Sequence, residues 1–192
     1  MSGGSRPSKS QRTRATLQEI ALRLFDEQGY EATSVAQIAQ EAGVSHMTFF
    51  RHFPSKEEVV LEDEYNPLLE ELIRGQPATV SGVERVHAAV LTGLERLGES
   101  DRYALLRRVG LLLSIPALRS RIDENLASAR TAFERGLAAD GEDGTPSLAV
   151  RAVAAACSAV LSAAVVDWAQ GEGEQDLAGL VDEAFRALRG AV

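Results

Sequence analysis

Apolar residues recur along this chain at three- and four-residue intervals, the period of helices with one buried side. Leu17, Ile20, Ala21, Leu24 and Phe25 form one such stripe, which Gly29 ends. Val35, Ile38, Ala39 and Ala42 form a second, opened by Ser34 with Gln37 in a capping-box pattern and stopped by Gly43. Ser45 caps a third short helix through Arg51. Pro54-Ser55 open a fourth, with Glu58 completing another capping box, and the pattern predicts one helix from Lys56 to Leu72. Longer helices follow: Ser81 to Gly98, Asp101 to Leu113, and one from Pro116 to Asp140 with proline in its first turn. After a solvated loop at 140–145, Thr145-Pro146 open a helix reaching Trp168. The last helix carries Leu177, Leu180, Val181, Ala184, Phe185 and Leu188. No stretch alternates apolar and polar residues with β-branched enrichment, so the chain reads as all-α. The expected organisation is a flexible tail at 1–11, a three-helix helix-turn-helix domain at 12–56 and a larger helical domain at 57–192.

The segment from Val35 to Phe53 carries the chemistry. Two helices of about seven residues broken by Gly43 make a helix-turn-helix, whose second helix enters the major groove with its N-terminal residues toward base edges. Those positions are His46 and Met47, with Thr48 behind them and Arg51, His52 and Lys56 on the phosphate flank. Thr33 and Ser34 can offer hydroxyls and N–H groups to a further phosphate. His46 and His52, six apart, do not share a helical face, so no metal pair is expected. Phe49 and Phe53 are assigned to the core.

Charge alters this picture in one respect. The whole chain sums to −8, which alone argues against phosphate contact. Residues 1–56 hold seven cations against five anions, a balance of +2, so the remainder carries −10. A basic reading head on an acidic body answers the objection, although short basic tails are also ordinary solubilising ends. The lone Cys157 excludes an intramolecular disulfide and suggests a reducing, cytoplasmic setting. No secretory leader pattern is visible. The longest nearly uncharged run, Ala152 to Val166, is shorter than the ~20 residues of a membrane helix, so no membrane is expected. There is no nucleophile-elbow Gly-x-Ser-x-Gly, no phosphate-cradling glycine loop and no His-Glu-x-x-His, so neither enzyme chemistry nor a cofactor is indicated. A helical carrier with an inert helix-turn-helix is the rival reading.

Leu24-Phe25, Gly29-Tyr30, Thr33-Ser34-Val35, Ile38-Ala39, Ala42-Gly43-Val44-Ser45, Thr48-Phe49-Phe50, His52-Phe53 and Ser55-Lys56 together resemble the N-terminal domain of the TetR (tetracycline repressor) family. The resemblance covers roughly residues 12–60. It implies a one-component regulator that binds a palindromic double-stranded DNA operator as a homodimer, usually a repressor released by a small ligand. Carried over by position, it assigns base contact to His46 and Met47, and phosphate contact to Thr33 or Ser34, Thr48, His52 and Lys56. Phe50 departs from the pattern, since the family commonly has a tyrosine there whose hydroxyl donates to phosphate.

In the second half, the helix from Ala149 to Trp168 is apolar on nearly every side and so calls for burial all round. This predicts a four-helix dimer interface with the last helix, through Ala152, Ala156, Val160, Ala164, Leu177, Val181 and Phe185. The alternative is that the helix is simply central to the ligand domain. Tyr103, Leu106, Leu113, Phe133 and Trp168 could line an apolar pocket. Arg107 and Arg108 would suit an anionic head group there, or stand in solvent. Residues 112–118 and the Trp168 region resemble a subgroup that includes mycofactocin-system regulators. That likeness suggests a fatty-acyl thioester or another apolar anion as effector.

Overall fold

The computed structural model describes residues 8–61, 65–138 and 145–190, and these are helices, turns and loops without a strand. The chain divides into two compact units, Met1–Glu62 and Asp63–Val192.

The first unit contains α1 (Lys9–Gln28), α2 (Val35–Glu41), α3 (His46–His52) and α4 (Glu58–Leu61). α1 begins inside the expected tail. Ser8 accepts from the Gln11 N–H while the Gln11 side chain accepts from the Ser8 N–H, a capping box that fixes the first turn. Residues 9–16 carry no apolar stripe, which is why periodicity alone missed them. Leu17, Ala21 and Phe25 of α1 are buried with Ile38 of α2 and Phe49 and Phe53 of the α3 region. Between α2 and α3 the chain reverses at Gly43, whose φ of +65° is open to glycine at little cost. The Val44 N–H then reaches back to the Ala39 carbonyl at 3.0 Å. The unit extends past residue 56 because Val59, Val60 and Leu61 are buried, with the Gln18 side chain donating to the Val59 carbonyl at 2.9 Å.

The second unit contains α5 (Asn66–Arg74), α6 (Gly82–Glu95), α7 (Glu99–Ser114), α8 (Pro116–Arg119), α9 (Ile122–Leu137), α10 (Leu148–Gln170) and α11 (Leu177–Leu188). α9 packs against α5 and α10, α10 against α11, and α11 against α6. Their shared core includes Ile73, Val86, Phe133, Cys157, Trp168, Val181 and Phe185. α9 and α5 meet closely at Gly136, where an added Cβ would lie 2.7 Å from the Ile73 Cβ. Arg85 donates to the carbonyls of Ile73 and Gly136, both at 3.2 Å, closing the C-terminal ends of the two helices with one guanidinium.

Two expected helices are each divided. Residues 56–72 give α4 and α5, with Tyr65 at the α5 N-cap and Pro67 in its first turn. Residues 116–138 give α8 and α9, because the Arg121 N–H turns back to the Leu118 carbonyl and tightens the end of α8. The expected helix end at Asp140, the loop that follows through Gly144 and the tail through Pro7 lie outside the described residues. α10 starts at Leu148 with Ser147 as its cap, two residues after Pro146.

α10 is not buried all round. Ala154, Cys157, Ser158, Ala164 and Trp168 are buried, whereas Leu148 (74% exposed), Ala152, Ala155, Ala159 and Ala163 face outward. By length and composition alone its 23 residues could cross a membrane; here its other side is part of the core.

Candidate nucleic-acid interface and effector cavity

α3 is amphipathic in an unusual way for a short helix. Phe49, and Phe53 just after the helix, are fully buried and tilted against one another at 5.8 Å, which anchors the inner face. The outer face presents His46, Met47, Phe50 and Arg51, with Met47 77% exposed. Met47 and Phe50 together leave a small apolar patch on that outer face. At the N-terminus the Ser45 hydroxyl accepts from the Thr48 N–H at 3.1 Å, and the Ser45 and Thr48 hydroxyls lie 2.9 Å apart. Ser34 caps α2 in the same manner and is exposed. Ser34, Ser45, His46, Met47, Thr48 and Arg51 thus sit where a groove or phosphate can reach them.

Three expected contacts are placed otherwise. Thr33 is buried, its hydroxyl donating to the Gly29 carbonyl at 2.8 Å, so it holds the α1–α2 turn. His52 is buried as well; burial first, then the Arg51 and Arg14 cations, push its pKa below the ordinary value. Lys56 donates to the carbonyls of Tyr30 (2.8 Å) and Thr33 (3.1 Å), with its ammonium 4.0 Å from the Tyr30 ring centre. Its charge is committed to the turn. Spacing puts these residues on the expected flank, and a local turn bond at Thr33 and tertiary contacts at His52 and Lys56 turn their polar atoms inward.

The basic N-terminal segment, expected as a tail up to residue 11, supplies further cations on a helix face. Lys9, Arg12, Thr13 and Thr16 of α1 line a cleft of about 180 Å³ with Ala42 and Val44 of the α2–α3 turn. Their i, i+3, i+4, i+7 spacing, together with the Ser8–Gln11 box, was the available signal. Arg14 points inward instead: it donates to the His52 carbonyl at 2.6 Å and covers the Phe53 ring at 4.3 Å.

In the second unit two cavities share a wall made by Leu105, Leu161 and Val165. One, of about 100 Å³, adds Arg108, Leu113, Ser158 and Ser162. The other, of about 80 Å³, is lined mainly by α5 and α6 side chains such as Leu69 and Val90. Of the predicted pocket residues, Arg108 and Leu113 line a cavity. Tyr103 does not; it is 58% exposed. Leu106 is half-buried against Gly173, Arg107 is half-buried outside both linings, and Phe133 and Trp168 are core. The positions missed, Leu161, Ser162 and Val165, fall on the helix read as dimer surface. Cys157 is buried and its thiol pKa is pushed up to about 12, which makes it inert packing.

The dimer expectation is likewise redrawn. Ala164, Leu177, Val181 and Phe185 are buried within the unit and have no surface to offer a second copy. Ala152 is exposed, and Ala156 and Val160 are half-buried. The apolar period on α10 and α11 therefore serves two faces, and the outward one runs through Leu148, Ala152, Ala155, Ala159 and Ala163.

Comparison with known proteins agrees with this division. The profile of bacterial regulatory proteins of the tetR family matches residues 17–62, and that of the MftR C-terminal domain matches residues 80–192. The HTH-type transcriptional regulator TcmR of Streptomyces glaucescens is 57% identical over 58 residues, 30% of this chain and 26% of that protein. The match thus spans about a quarter of that relative. The fatty acid degradation regulator FadR of Bacillus halodurans superposes with a TM-score of 0.58 at 22% identity, covering 98% of both chains. FadR of Bacillus subtilis, solved with stearoyl-CoA, gives 0.56 at 19% identity over 93% of this chain and 98% of that one. These two likenesses concern the fold. The chain belongs to the tetR family of transcriptional regulators, with a helix-turn-helix unit followed by an MftR-type C-terminal domain.

Proposed function

We propose that the protein is a cytoplasmic repressor that binds a palindromic operator as a homodimer and leaves it when an apolar anion occupies the second unit. The observation that carries this reading is α3, anchored by Phe49 and Phe53 and presenting His46 and Met47 to solvent. Met47 packs on a thymine methyl and His46 supplies polar readout, while Ser34, Ser45, Thr48 and Arg51 take phosphates. Lys9 and Arg12, on the cleft beside the α2–α3 turn, extend the phosphate track. The exposed alanine row of α10 is the proposed contact between copies, since small side chains let two helices approach closely.

The effector proposal rests on a buried guanidinium, Arg108, and two hydroxyls, Ser158 and Ser162, in an otherwise apolar cavity. A fatty-acyl thioester, of the kind held by the structurally similar FadR of Bacillus subtilis, is the candidate to test first. Such a ligand lowers operator affinity only by its differential affinity for the two states, and near-complete release takes about 5 kcal/mol.

The test is a footprint of the DNA flanking the protein's own gene, with wild type and Met47→Ala. A protected palindrome whose preferred bases change in the variant supports the reading. No retardation at low salt by an intact dimer would favour an inert helical carrier. Release of the footprint by an acyl-CoA panel then tests the effector, and a footprint indifferent to all of them removes that candidate.

A further inference from the structure

Phe50 is a large apolar side chain left 40% exposed on the face of α3 that carries His46 and Met47. It has no hydroxyl and so offers nothing to a phosphate. What it does touch is specific. Its ring lies 4.8 Å from that of His46, edge to face at 78°, and 5.5 Å from that of Phe49 at 83°. Phe49 is fully buried and rests on Phe53, over which Arg14 is stacked. A chain of rings therefore runs from the buried core of the unit out to an exposed imidazole.

Helical side chains lean toward the N-terminus, so a residue at i+4 covers the turn that carries residue i. Phe50 thus falls over His46 by helix geometry, and Phe49 fixes Phe50 in turn. A lone exposed histidine samples several rotamers, and ordering it on binding lowers affinity for every sequence. With the ring already held against Phe50, only bases that suit that one placement are rewarded. We infer that Phe50 is a positioning residue for sequence discrimination, acting through His46 and not through the DNA backbone. This rests on the proposed reading of α3 as the base-contacting helix.

The experiment uses the full chain and an operator selected by wild type from a randomised duplex library. Affinity is measured for that operator, for each single base-pair substitution in a half-site and for unrelated duplex, at several salt concentrations. Variants are His46→Ala, Phe50→Leu, Phe50→Met, Phe50→Tyr and the His46→Ala/Phe50→Leu double mutant. Phe50→Leu and Phe50→Met should each lose about fivefold to tenfold in discrimination, at the same base pair at which His46→Ala loses it. Binding to unrelated duplex and the salt slope should be unaltered in both. Phe50→Tyr keeps the ring and should keep the discrimination, and the double mutant should be no worse than His46→Ala alone. Two apolar replacements keep the result readable if one of them destabilises the unit.

Equal losses on all sequences would overturn the inference, as would additive effects of the two sites or a change at a different base pair. If His46→Ala alters no base preference the inference also falls, while changes seen with Met47→Ala would leave the α3 reading standing. Absence of any sequence preference in wild type would remove both.

Discussion

The two units hold their helices together by different means. In the first, directed hydrogen bonds from long side chains tie helix ends and turns: Arg14 to the His52 carbonyl, Gln18 to that of Val59, and Lys56 to those of Tyr30 and Thr33. In the second, interdigitated apolar side chains surround two partly empty cavities, and directed bonds such as Arg85 to Ile73, Asn66 to Ser128 and Arg189 with His87 lie away from the cavity walls. Directed bonds fix positions and angles, whereas the empty space of the two cavities leaves the otherwise close-packed side chains around them room to repack. A surface that must match the spacing of a duplex needs the first kind of support. A surface that must admit a guest needs the second.

The largest difference should appear on truncating a ring in one unit and a cavity wall in the other. Phe49→Ala removes a fully buried ring from under α3 and should cost about 3–5 kcal/mol in chemical denaturation. Leu161→Ala only widens an existing cavity and should cost roughly 2 kcal/mol or less. Equal costs would remove the contrast. Next in size is Ala159→Glu, which puts like charges on a proposed self-contact. It should weaken dimerisation about a hundredfold or more in sedimentation, with helicity and melting retained. A dimer that survives this change uses another face.

Arg14→Met keeps the stem over Phe53 and removes the hydrogen bond to the α3 carboxyl end. It should destabilise the first unit by about 1–2 kcal/mol and reduce affinity for all duplexes alike. The smallest effect concerns His87 of α6. It is buried, stacked on Phe185 at 4.8 Å, near Asp182 at 3.3 Å and bonded to Arg189 at 3.1 Å. Burial, then Arg189, lower its pKa, with Asp182 opposing and Arg186 adding to the decrease. The unfolded chain therefore binds this proton first as pH falls. Stability conferred by the neutral ring is intact above the ordinary value of 6.5 and declines as pH falls below it toward the depressed folded value. His87→Gln should flatten that acid-side decline in a pH series of melts, and an unchanged decline would assign it to other groups.

The same contrast explains what the sequence disclosed. Caps and turns are local, so Ser34, Gly43 and Ser45 announced α2, the reversal and α3 directly. Apolar spacing also placed Phe49 and Phe53 inside. His52 and Lys56 are harder to place, because Arg14 over the His52 carbonyl and Tyr30 under Lys56 lie 38 and 26 residues away and no local pattern encodes them, whereas the Thr33 bond to Gly29 is a local turn contact that spacing on a helix face does not register. The second unit was harder for a different reason. α10 is apolar on most sides, so its period could not separate the row facing Trp168 and Cys157 from the row facing outward, or either from the cavity wall at Leu161 and Val165. Where every side is greasy, periodicity has no contrast left.

The partition formed by Leu105, Leu161 and Val165 has a practical corollary. These three branched side chains line both voids, so under the proposed effector reading a guest that extends from one void into the other meets at least one of them on the way. Response to a homologous series of chains would then rise by a step at one length instead of gradually, making the partition a gauge of how long a molecule must be before the protein notices it.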